Sequence, residues 1–379
     1  MSINYSKIPS PAYVIDEERF RQNLSLIRHV SGESEAEIIL AFKGFAMWGV
    51  FGILKEYVAG AAASSLNEAR LCFEEIGVRA HTYCPAYREN EFSEILRYSS
   101  HITFNSLAQY KRFYPALKKS PSKISSGLRI NPEFSEISHG LYNPCSPGSR
   151  LGITASELKN GLPEGIEGLH FHVLFENDSY VLEKVLGVVE SKFGKLLPYL
   201  KWINMGGGHI MTRKDYNADH LIEILRRFRK KWGLKIILEP GSAFAWETGE
   251  LVATVEDIVE NSGIKTAILD VSFTAHMPDC LEMPYKPKVL GATDPVAGKP
   301  VYRLGGNSCL SGDVMGEWAF EKELKVGDRI IFWDMIHYTM VKTTTFNGVH
   351  HPSIGIWTKE GKFKLLKKFG YEDYKGRLS

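Results

Sequence analysis

One lysine of the sequence lies in a setting that suits covalent chemistry. Lys43 is the single charged residue in the apolar segment 38–50. An ammonium group in apolar surroundings is costly unless it is paired or deprotonated, and burial lowers the pKa of a lysine. The neutral amine that results is the nucleophile needed for imine formation. The alternative is a lysine whose stem is buried while its ammonium reaches water.

Three consecutive glycines and one glutamate extend this interpretation. Gly206, Gly207 and Gly208 follow a predicted strand, where backbone N–H groups can approach an anion without interference from Cβ. A flexible turn between a strand and a helix is the alternative. A phosphate-binding turn together with a reactive lysine predicts pyridoxal 5′-phosphate (PLP), held by Lys43 as a Schiff base. Glu239 would then keep the pyridine nitrogen protonated, which makes the ring an electron sink.

Two histidines stand two residues apart on a predicted strand, so that both rings lie on the same face. His170 and His172 could hold a metal ion, although the sequence has no third ligand at a recognisable spacing. We favour an imidazole packed on the flat face of PLP, and we prefer His172 because it is nearer the end of the strand. A histidine buried in the core without a ligand is the remaining alternative.

The elements that must position these residues form a repeating pattern. Over residues 36–241, short apolar and β-branched runs alternate with amphipathic stretches of helical length, as in βα units. Strands are predicted at 37–42, 59–64, 80–84, 102–105, 125–130, 165–173, 201–205 and 234–239, and helices at 66–76, 107–117, 180–193 and 218–232. Eight strands favour a closed (β/α)8 barrel of the TIM type, an α/β fold, over an open doubly wound sheet.

The functional face of such a barrel is formed by the carboxyl ends of its strands. Five of the eight predicted strands end in a candidate residue or turn, namely Lys43, Arg129, His172, Gly206 to Gly208, and Glu239. Barrels often bind phosphate after strands seven and eight, and the glycine triplet follows strand seven. The pattern therefore predicts one site at the mouth of the barrel.

The remainder of the chain is typical of a second domain. After Pro240 the helical periodicity fades, and strand-like segments separated by turn residues follow, as in an all-β domain. Strands are predicted at 250–257, 265–271, 301–304, 329–333 and 353–358. Segment 11–26 is interpreted as a strand followed by a helix, which could join either domain. We predict a PLP-binding barrel at 30–250 and a β-rich domain formed by 1–29 and 251–379.

The composition excludes several classes of partner. The 46 Lys and Arg residues nearly balance the 44 Asp and Glu residues, so no net field attracts nucleic acid or an anionic membrane. The five cysteines are odd in number, widely spaced and without a CxxC pair, which argues against a disulfide framework. The sequence shows no signal peptide and no apolar run of about 20 residues. We expect a cytoplasmic protein with a small-molecule substrate.

These residues match a known family. The chain resembles the alanine-racemase-like (fold type III) PLP decarboxylases, the group with ornithine and diaminopimelate decarboxylases. In the barrel, Ala41-Phe42-Lys43 resembles the segment of the cofactor lysine, and His172 resembles the ring-stacking histidine. Gly206 to Gly208 resemble the phosphate loop, and Glu239-Pro240-Gly241 resembles the pyridinium-binding motif. After the barrel, residues 307–313 resemble the cysteine motif, and His337-Tyr338-Thr339 resembles the segment whose tyrosine reaches the phosphate. The resemblance covers nearly the whole chain.

The resemblance implies decarboxylation of an amino acid on PLP. It implies that Cys309 delivers the proton to the α-carbon after CO2 has left, whereas without the resemblance Cys309 would be interpreted as a buried cysteine. Arg129 and Tyr338 join the cofactor-binding residues. The resemblance also implies an obligate homodimer, in which Lys43 of one chain and the cysteine motif of the other share an active site.

Two departures from the ornithine and diaminopimelate decarboxylases bear on the substrate. Leu310 stands where those enzymes have an acidic residue, and Ser242 stands where they have an arginine. Leu310, with Asn131-Pro132 and 149–153, makes the chain resemble most closely the carboxynorspermidine (carboxyspermidine) decarboxylases of bacterial polyamine synthesis. The distal amines of their substrates are cations. The candidate substrate-binding residues are Ser242, Asp279 and Asp313.

Other functions stay open at this point. A diaminopimelate- or ornithine-type decarboxylase would use the same machinery. An amino-acid racemase would share the barrel and Lys43 but would need a second base where this chain has the Cys309 motif. A non-catalytic PLP carrier of this fold is typically a lone barrel, and the chain that follows the barrel argues against it. Release of CO2 separates a decarboxylase from the last two.

Overall fold

The computed structural model describes residues 3–137, 140, 142–282 and 284–379. It divides into two compact units, one formed by Asn23–Phe244 and the other by Met1–Gln22 together with Ala245–Ser379. The strands are β1 (Ala12–Asp16), β2 (Glu37–Ile38), β3 (Leu40–Ala41), β4 (Ala61–Ala63), β5 (Ala80–Tyr83), β6 (Ser99–Phe104), β7 (Ser125–Arg129), β8 (Ile166–His170), β9 (Trp202–Asn204), β10 (Lys235–Leu238), β11 (Gly249–Asn261), β12 (Ile264–Leu269), β13 (Ala292–Thr293), β14 (Val301–Gly305), β15 (Val314–Phe320), β16 (Arg329–Trp333), β17 (Ser353–Trp357) and β18 (Phe363–Lys367).

The helices have the following bounds. They are α1 (Glu17–Ser34), α2 (Phe51–Leu54), α3 (Leu66–Leu71), α4 (Glu89–Tyr98), α5 (Leu107–Lys118), α6 (Ser179–Phe193), α7 (Ala218–Trp232), α8 (Ser242–Ala245), α9 (Phe273–His276), α10 (Pro278–Glu282), α11 (Tyr338–Val341) and α12 (Tyr371–Leu378). Short 3₁₀ helices lie at Tyr5–Lys7, Trp48–Val50, Ala155–Leu158, Leu197–Tyr199 and Phe346–Gly348. Both divisions between the units fall inside a helix, the first in α1 and the second in α8.

The first unit is a parallel barrel. Its strands follow the order β2-β10-β9-β8-β7-β6-β5-β4-β3, and every pair is parallel. β2 and β3 are two parts of one strand, separated by Ile39 alone. The N–H of Ile39 donates to the carbonyl of Leu238 at 3.0 Å, whereas the N–H of Leu40 donates to Gly60 at 3.2 Å. Because neighbouring residues bond to opposite sides, this strand joins both edges of the sheet. The predicted eight-stranded (β/α)8 barrel is confirmed.

The helices of the barrel follow from their apolar faces and caps. Helix α7 shows this most clearly, since Asn217 caps its start by accepting from the N–H of His220, and Gly233 ends it at a φ of +69°. Its inner face consists of Leu221, Ile222, Ile224, Leu225 and Phe228, all buried. The predicted helices at 107–117, 180–193 and 218–232 are confirmed as α5, α6 and α7. The predicted helix at 66–76 is α3 followed by a π-helical turn, Cys72–Ile76.

The second unit contains a mixed sheet. Its strands follow the order β13-β15-β14-β12-β11-β1-β17-β18, and β16 pairs with β11. β1 runs antiparallel to β11 and parallel to β17, so the strand predicted within segment 11–26 belongs to this sheet. The five predicted strands are confirmed as β11, β12, β14, β16 and β17, while β13, β15 and β18 were not predicted. None of the described helices is long and apolar enough to cross a membrane. All five cysteines are free.

Candidate active site

Two glycines bring the ends of the first and eighth barrel strands together. A Cβ on Gly44 would lie 2.8 Å from the Cα of Gly241, and a Cβ on Gly241 would lie 3.0 Å from the Cα of Gly44. Any larger side chain would therefore push the two backbones apart. Lys43 precedes the first glycine and Glu239 lies two residues before the second. The close approach thus places the predicted covalent lysine and the predicted pyridine-binding carboxylate at the same side of the barrel mouth.

Lys43 lies in the barrel mouth, and its amine has a lowered pKa. The residue is exposed in the barrel mouth, and its Nζ lies 3.3 Å from Nε2 of His172. Burial and, after it, the positive charge of Arg129 lower the pKa of Lys43 to about 8, while the charges of Glu239 and Glu68 act in the opposite direction. At pH 7 about one amine in ten is then neutral, many times more than for an ordinary lysine. The amine is therefore suited to nucleophilic attack near neutral pH.

His172 has both ring nitrogens engaged. Its Nδ1 accepts the N–H of Gly207 at 2.9 Å, so the proton of the neutral ring must lie on Nε2. Nε2 lies 3.3 Å from Nζ of Lys43. Burial and the neighbouring charges of Lys43 and Arg129 hold the pKa of His172 well below its usual range. A neutral ring with Nε2–H facing Lys43 forms a hydrogen bond only with a neutral amine, which is the reactive form.

The glycine triplet is required by its surroundings. Gly206 and Gly208 adopt φ values of +69° and +89°, which disfavour other residues. A Cβ on Gly206 would lie 2.5 Å from the carbonyl oxygen of Phe171, and one on Gly208 would lie 2.3 Å from that of Leu174. Both obstacles are backbone atoms, which cannot move aside cheaply. The turn therefore forms a cradle that only glycine permits.

Two of the three N–H groups of this cradle have hydrogen-bond acceptors within the protein. Gly206 donates to Oδ1 of Asn204 at 2.9 Å, and Gly207 donates to His172. Among the described residues, no acceptor satisfies the N–H of Gly208. We therefore narrow the predicted phosphate-binding turn to the N–H of Gly208, while the other two amides hold the side chains around it. An anion such as the phosphate of PLP is the kind of ligand to which an unpaired N–H at such a turn donates.

Glu239 is a buried carboxylate without a full countercharge. Burial raises the pKa of Glu239 to about 7, although a hydrogen bond from Asn204 and the charges of Lys43 and Arg129 act to lower it. Nδ2 of Asn204 lies 2.5 Å from Oε1, and Nε2 of His170 lies 3.8 Å from Oε2. A cationic ring nitrogen beside this carboxylate would favour its ionised form. The donor set therefore fits the pyridinium of PLP.

Arg129 and His170 complete the wall of the site. Arg129 donates from Nη2 to the carbonyl oxygen of His172 at 3.3 Å, and its guanidinium lies 4.8 Å from the centre of the Tyr83 ring. His170 is buried with an edge-to-face contact to Tyr83 at 5.5 Å, and burial lowers its pKa. The rings of His170 and His172 lie 6.4 Å apart and nearly perpendicular. Within the described part of the chain, no group of three His, Cys, Asp or Glu side chains could hold a metal ion.

Cys309 lies in the second unit, in the loop between β14 and β15. It is exposed, in contrast to the buried cysteine that the residue type alone suggests. Its N–H donates to Oδ1 of Asn347 at 2.8 Å, and Asn347 adopts the left-handed region with a φ of +59°. The following residue, Leu310, is also exposed. The loop thus presents a thiol and an apolar side chain on the surface of the unit.

Asp313 organises the same loop. Its Oδ1 accepts the N–H groups of Phe273 and Thr274, and its Oδ2 accepts both the N–H and the hydroxyl of Ser308. The residue is only 3% exposed. With both oxygens occupied, this carboxylate is suited to shaping the Cys309 loop, and this geometry argues against the substrate contact that we expected.

Only one of the two carboxylate oxygens of Asp279 has hydrogen-bond partners among the described residues. Its Oδ2 accepts the hydroxyl groups of Thr339 at 3.0 Å and Tyr285 at 3.2 Å. Its Oδ1 is enclosed and has no hydrogen-bond partner among the described residues. The carboxylate therefore retains one oxygen for a cation, provided that the side chain turns outward. Tyr338, at the start of α11, belongs to the same unit.

The structure thus distributes the predicted residues over both units. The barrel mouth brings together Lys43, Arg129, His172, Gly206 to Gly208 and Glu239, with Ser242 at the start of α8. The second unit holds Cys309, Asp313, Asp279 and Tyr338. Sequence reasoning missed Asn204, whose signal was an amide at a strand end two residues before the first glycine of the turn. It also missed Tyr83, which ends β5 at the same face of the barrel.

Comparison with known proteins places this chain. The sequence model described as "Pyridoxal-dependent decarboxylase, C-terminal sheet domain" matches residues 12–336. The chain is similar to the carboxyaminopropylagmatine decarboxylase of Synechocystis sp., with 52% identity over 98% of this chain and 96% of that protein. It is also similar to the carboxynorspermidine/carboxyspermidine decarboxylase of Campylobacter jejuni, with 45% identity over 98% of each.

A solved structure agrees with these relatives. The crystal structure of carboxynorspermidine decarboxylase from Campylobacter jejuni, complexed with norspermidine, has a TM-score of 0.92 and 44% identity to this chain. The match covers 98% of this chain and 100% of that one. The barrel-mouth lysine, the glycine cradle and the buried glutamate fit PLP, and the family relationship makes PLP the cofactor of this enzyme. The chain belongs to the pyridoxal-dependent decarboxylases.

Proposed function

We propose that this enzyme decarboxylates carboxynorspermidine and carboxyspermidine, and so forms norspermidine and spermidine in polyamine biosynthesis. The observation that carries this proposal is the full-length similarity to the Campylobacter jejuni enzyme, whose crystal structure contains norspermidine. A second full-length relative with the same substrate name, from Herminiimonas arsenicoxydans, is 36% identical over 98% of this chain. Leu310 supports the same assignment, because it replaces the acidic group of the ornithine- and diaminopimelate-type enzymes.

A second candidate substrate is carboxyaminopropylagmatine, which the 52% identical Synechocystis relative is named for. The reacting end is an amino acid in both cases, while agmatine ends in a guanidinium group and spermidine in an ammonium group. A guanidinium prefers a two-point contact with a carboxylate, whereas an ammonium is a point charge. Oδ2 of Asp279 already accepts two hydroxyl groups, so a single oxygen is left. That arrangement favours the ammonium.

The residues of the barrel mouth have separate tasks in this proposal. Bound PLP supplies an electron sink for the electron pair that is released when the carboxylate leaves as CO2. Lys43 provides the amine that holds the cofactor and yields to the substrate amine. Glu239 holds a proton at the pyridine nitrogen, and His172 packs against the ring. The N–H of Gly208 binds the phosphate, with Arg129 and Tyr338 as further cofactor contacts.

The second unit supplies the proton and the contacts to the substrate chain. Cys309 donates a proton to the α-carbon, and Asp313 keeps the loop of Cys309 in place. Asp279 binds a distal ammonium of the substrate, and Ser242 of the first unit is a further polar contact. The enzyme acts as a homodimer in which the Cys309 loop of one protomer completes the Lys43 site of the other. The exposure of both Cys309 and Leu310 in the single chain supports this arrangement.

The test is a substrate comparison with purified enzyme. CO2 release and the amine product are measured for carboxynorspermidine, carboxyspermidine and carboxyaminopropylagmatine, with ornithine, lysine and diaminopimelate as controls. The proposal expects the highest kcat/KM for one of the first two. A higher kcat/KM for carboxyaminopropylagmatine would transfer the assignment to the guanidinium substrate. A preference for ornithine or diaminopimelate would overturn the polyamine assignment and leave the decarboxylase class intact.

A further inference from the structure

The amide of Asn204 connects two parts of the barrel mouth that the cofactor must contact at once. Asn204 ends β9 and is only 3% exposed. Its Oδ1 accepts the N–H of Gly206 at 2.9 Å, and its Nδ2 donates to Oε1 of Glu239 at 2.5 Å. The backbone reinforces this connection, since the N–H of Glu239 donates to the carbonyl of Gly206 at 2.7 Å. One side chain therefore joins the glycine cradle to the buried carboxylate.

The orientation of this amide follows from the backbone. The N–H of Gly206 can only donate, so the oxygen of Asn204 must face it and the NH2 group must face Glu239. Oε1 of Glu239 must consequently accept a hydrogen bond, which it does best when the carboxylate is ionised. A proton on Oε1 would meet a second donor and lose that bond. Asn204 thus opposes the tendency of burial to protonate Glu239.

We propose that Asn204 is a positioning residue with two effects. It holds Glu239 ionised and oriented so that the other oxygen of the glutamate, Oε2, contacts the ring nitrogen of PLP. It also fixes the position of the Gly206 turn relative to the phosphate. This inference rests on the proposed role of Glu239. It goes beyond that role because it names the group on which the orientation and charge of the glutamate depend.

The decisive variant is Asn204→Asp, which has nearly the same shape. The N–H of Gly206 would again take one oxygen, so the second carboxylate oxygen of the variant would face Oε1 of Glu239. Two carboxylates at this distance share a proton, as coupled acids do. With that proton, the new carboxyl donates to Glu239 as the amide did. Without it, the two carboxylates repel each other and the glutamate turns away.

The experiment measures PLP affinity as a function of pH. Apoenzyme is titrated with PLP between about pH 6 and pH 9, and the apparent Kd is read from the absorbance of bound cofactor. Loss of a hydrogen bond to a charged group typically weakens binding by about tenfold to a hundredfold. We expect Asn204→Ala to show the larger loss at low pH, where Glu239 is protonated more readily without the amide, and a smaller loss as pH rises. We expect Asn204→Asp to bind nearly normally at low pH and to lose affinity progressively as pH rises.

Other groups that titrate near Glu239 are controlled by comparison with wild type. Lys43, Arg129 and His170 act on the glutamate in every variant, so their contribution largely cancels in the ratio of Kd values. In the double variant Asn204→Asp with Glu239→Gln, the added pH dependence should disappear, because no second carboxylate remains. Asn217→Asp is the matched control, since aspartate also caps α7 and should leave Kd unchanged.

The outcomes separate this inference from the role of Glu239. If Glu239→Gln weakens PLP binding while both Asn204 variants bind like wild type at every pH, Asn204 has no positioning role. A pH-independent loss in Asn204→Asp would also overturn the inference, because a simple packing defect explains it. If Glu239→Gln itself leaves PLP affinity unchanged, the role of Glu239 fails and the inference fails with it. If Asn204→Asp does not fold, a normal Kd for Asn204→Ala is sufficient to overturn the proposal.

Discussion

Nε2 of His172 lies 3.3 Å from Nζ of Lys43, while the opposite ring nitrogen accepts the N–H of Gly207. The hydrogen bond from Gly207 determines which partner of the other contact is the donor. Because Nδ1 is occupied by a donor, a neutral ring turns its N–H toward the lysine, and the lysine accepts that N–H only as a free amine. The glycine turn therefore favours the nucleophilic form of Lys43 through the histidine, in addition to cradling an anion.

The covalent position of the cofactor is the first prediction. Reduction of the holoenzyme with borohydride should attach the cofactor permanently to Lys43, because this lysine alone combines a strand-end position with a lowered pKa of about 8 among the described residues. Peptide mapping by mass spectrometry identifies the modified lysine. Lys43→Arg should give no adduct. An adduct on any other lysine would refute the site.

The pH dependence of cofactor uptake is the second prediction. Only the neutral amine attacks, so the rate at which apoenzyme incorporates PLP should rise as pH increases and level off above about 8, where Lys43 is mostly deprotonated. The absorbance of bound cofactor follows this rate between about pH 6 and pH 10. A rate that continues to rise up to pH 10, as for an ordinary lysine, would contradict the lowered pKa.

The third prediction concerns proton delivery. Cys309→Ala should bind PLP normally and lose turnover by about 10² to 10⁴-fold, the usual loss when a general acid is removed. PLP titration and CO2 release measure the two properties separately. Cys145→Ala is a suitable control, since that cysteine is free and belongs to the other unit. Undiminished turnover in Cys309→Ala would remove this residue from the mechanism.

Complementation tests the fourth prediction, the sharing of sites within a dimer. We expect Lys43→Ala to be inactive and Cys309→Ala to be impaired when either is assayed alone. After subunit exchange, mixed dimers should regain part of the activity, because one of their two sites contains both native residues. Exchange is verified independently with differently tagged chains. If exchange occurs without any recovery of activity, each site is built within one chain.

The two aspartates should differ, which is the fifth prediction. Asp279→Ala should mainly raise KM for the triamine substrate, because loss of a carboxylate that pairs with a desolvated ammonium costs about 2 to 5 kcal/mol, and less where water screens the pair. Asp313→Ala should instead lower thermal stability, since it leaves the N–H groups of Phe273, Thr274 and Ser308 without this acceptor. Melting curves and steady-state kinetics distinguish the two. An unchanged KM for Asp279→Ala would exclude the proposed contact.

Much of the barrel could be predicted from the residues alone. Each of the eight predicted barrel strands overlaps an observed one, because buried parallel strands are short apolar runs that alternate with amphipathic helices. The chemistry of Lys43 and Glu239 was visible for a related reason. Charged residues at the end of apolar segments are unusual, and the active sites of such barrels lie at the carboxyl ends of the strands.

The prediction was weaker in the second unit and at turns. Strand β15 (Val314–Phe320) was missed because its sequence, VMGEWAF, mixes an exposed glycine and a half-buried glutamate with apolar residues in no strict alternation. Helix α4 was not predicted either, although its buried face has helical spacing. Strand pairing and loop geometry depend on partners that are distant in the chain, and local periodicity carries no information about them.

By itself, the sequence determined the barrel, the strand ends that carry reactive residues, and the glycines that a backbone turn requires. Only the tertiary structure decided which of these groups meet. The contact between Gly44 and Gly241 joins residues nearly two hundred positions apart, and the donor that Asn204 presents to Glu239 depends on the backbone of Gly206. Asp313 likewise had the residue type of a substrate contact but accepts four hydrogen bonds, two from the start of α9 and two from Ser308 of its own loop. The reason is physical: residue type sets which hydrogen bonds a side chain can make, while folding determines which donors and acceptors lie within reach.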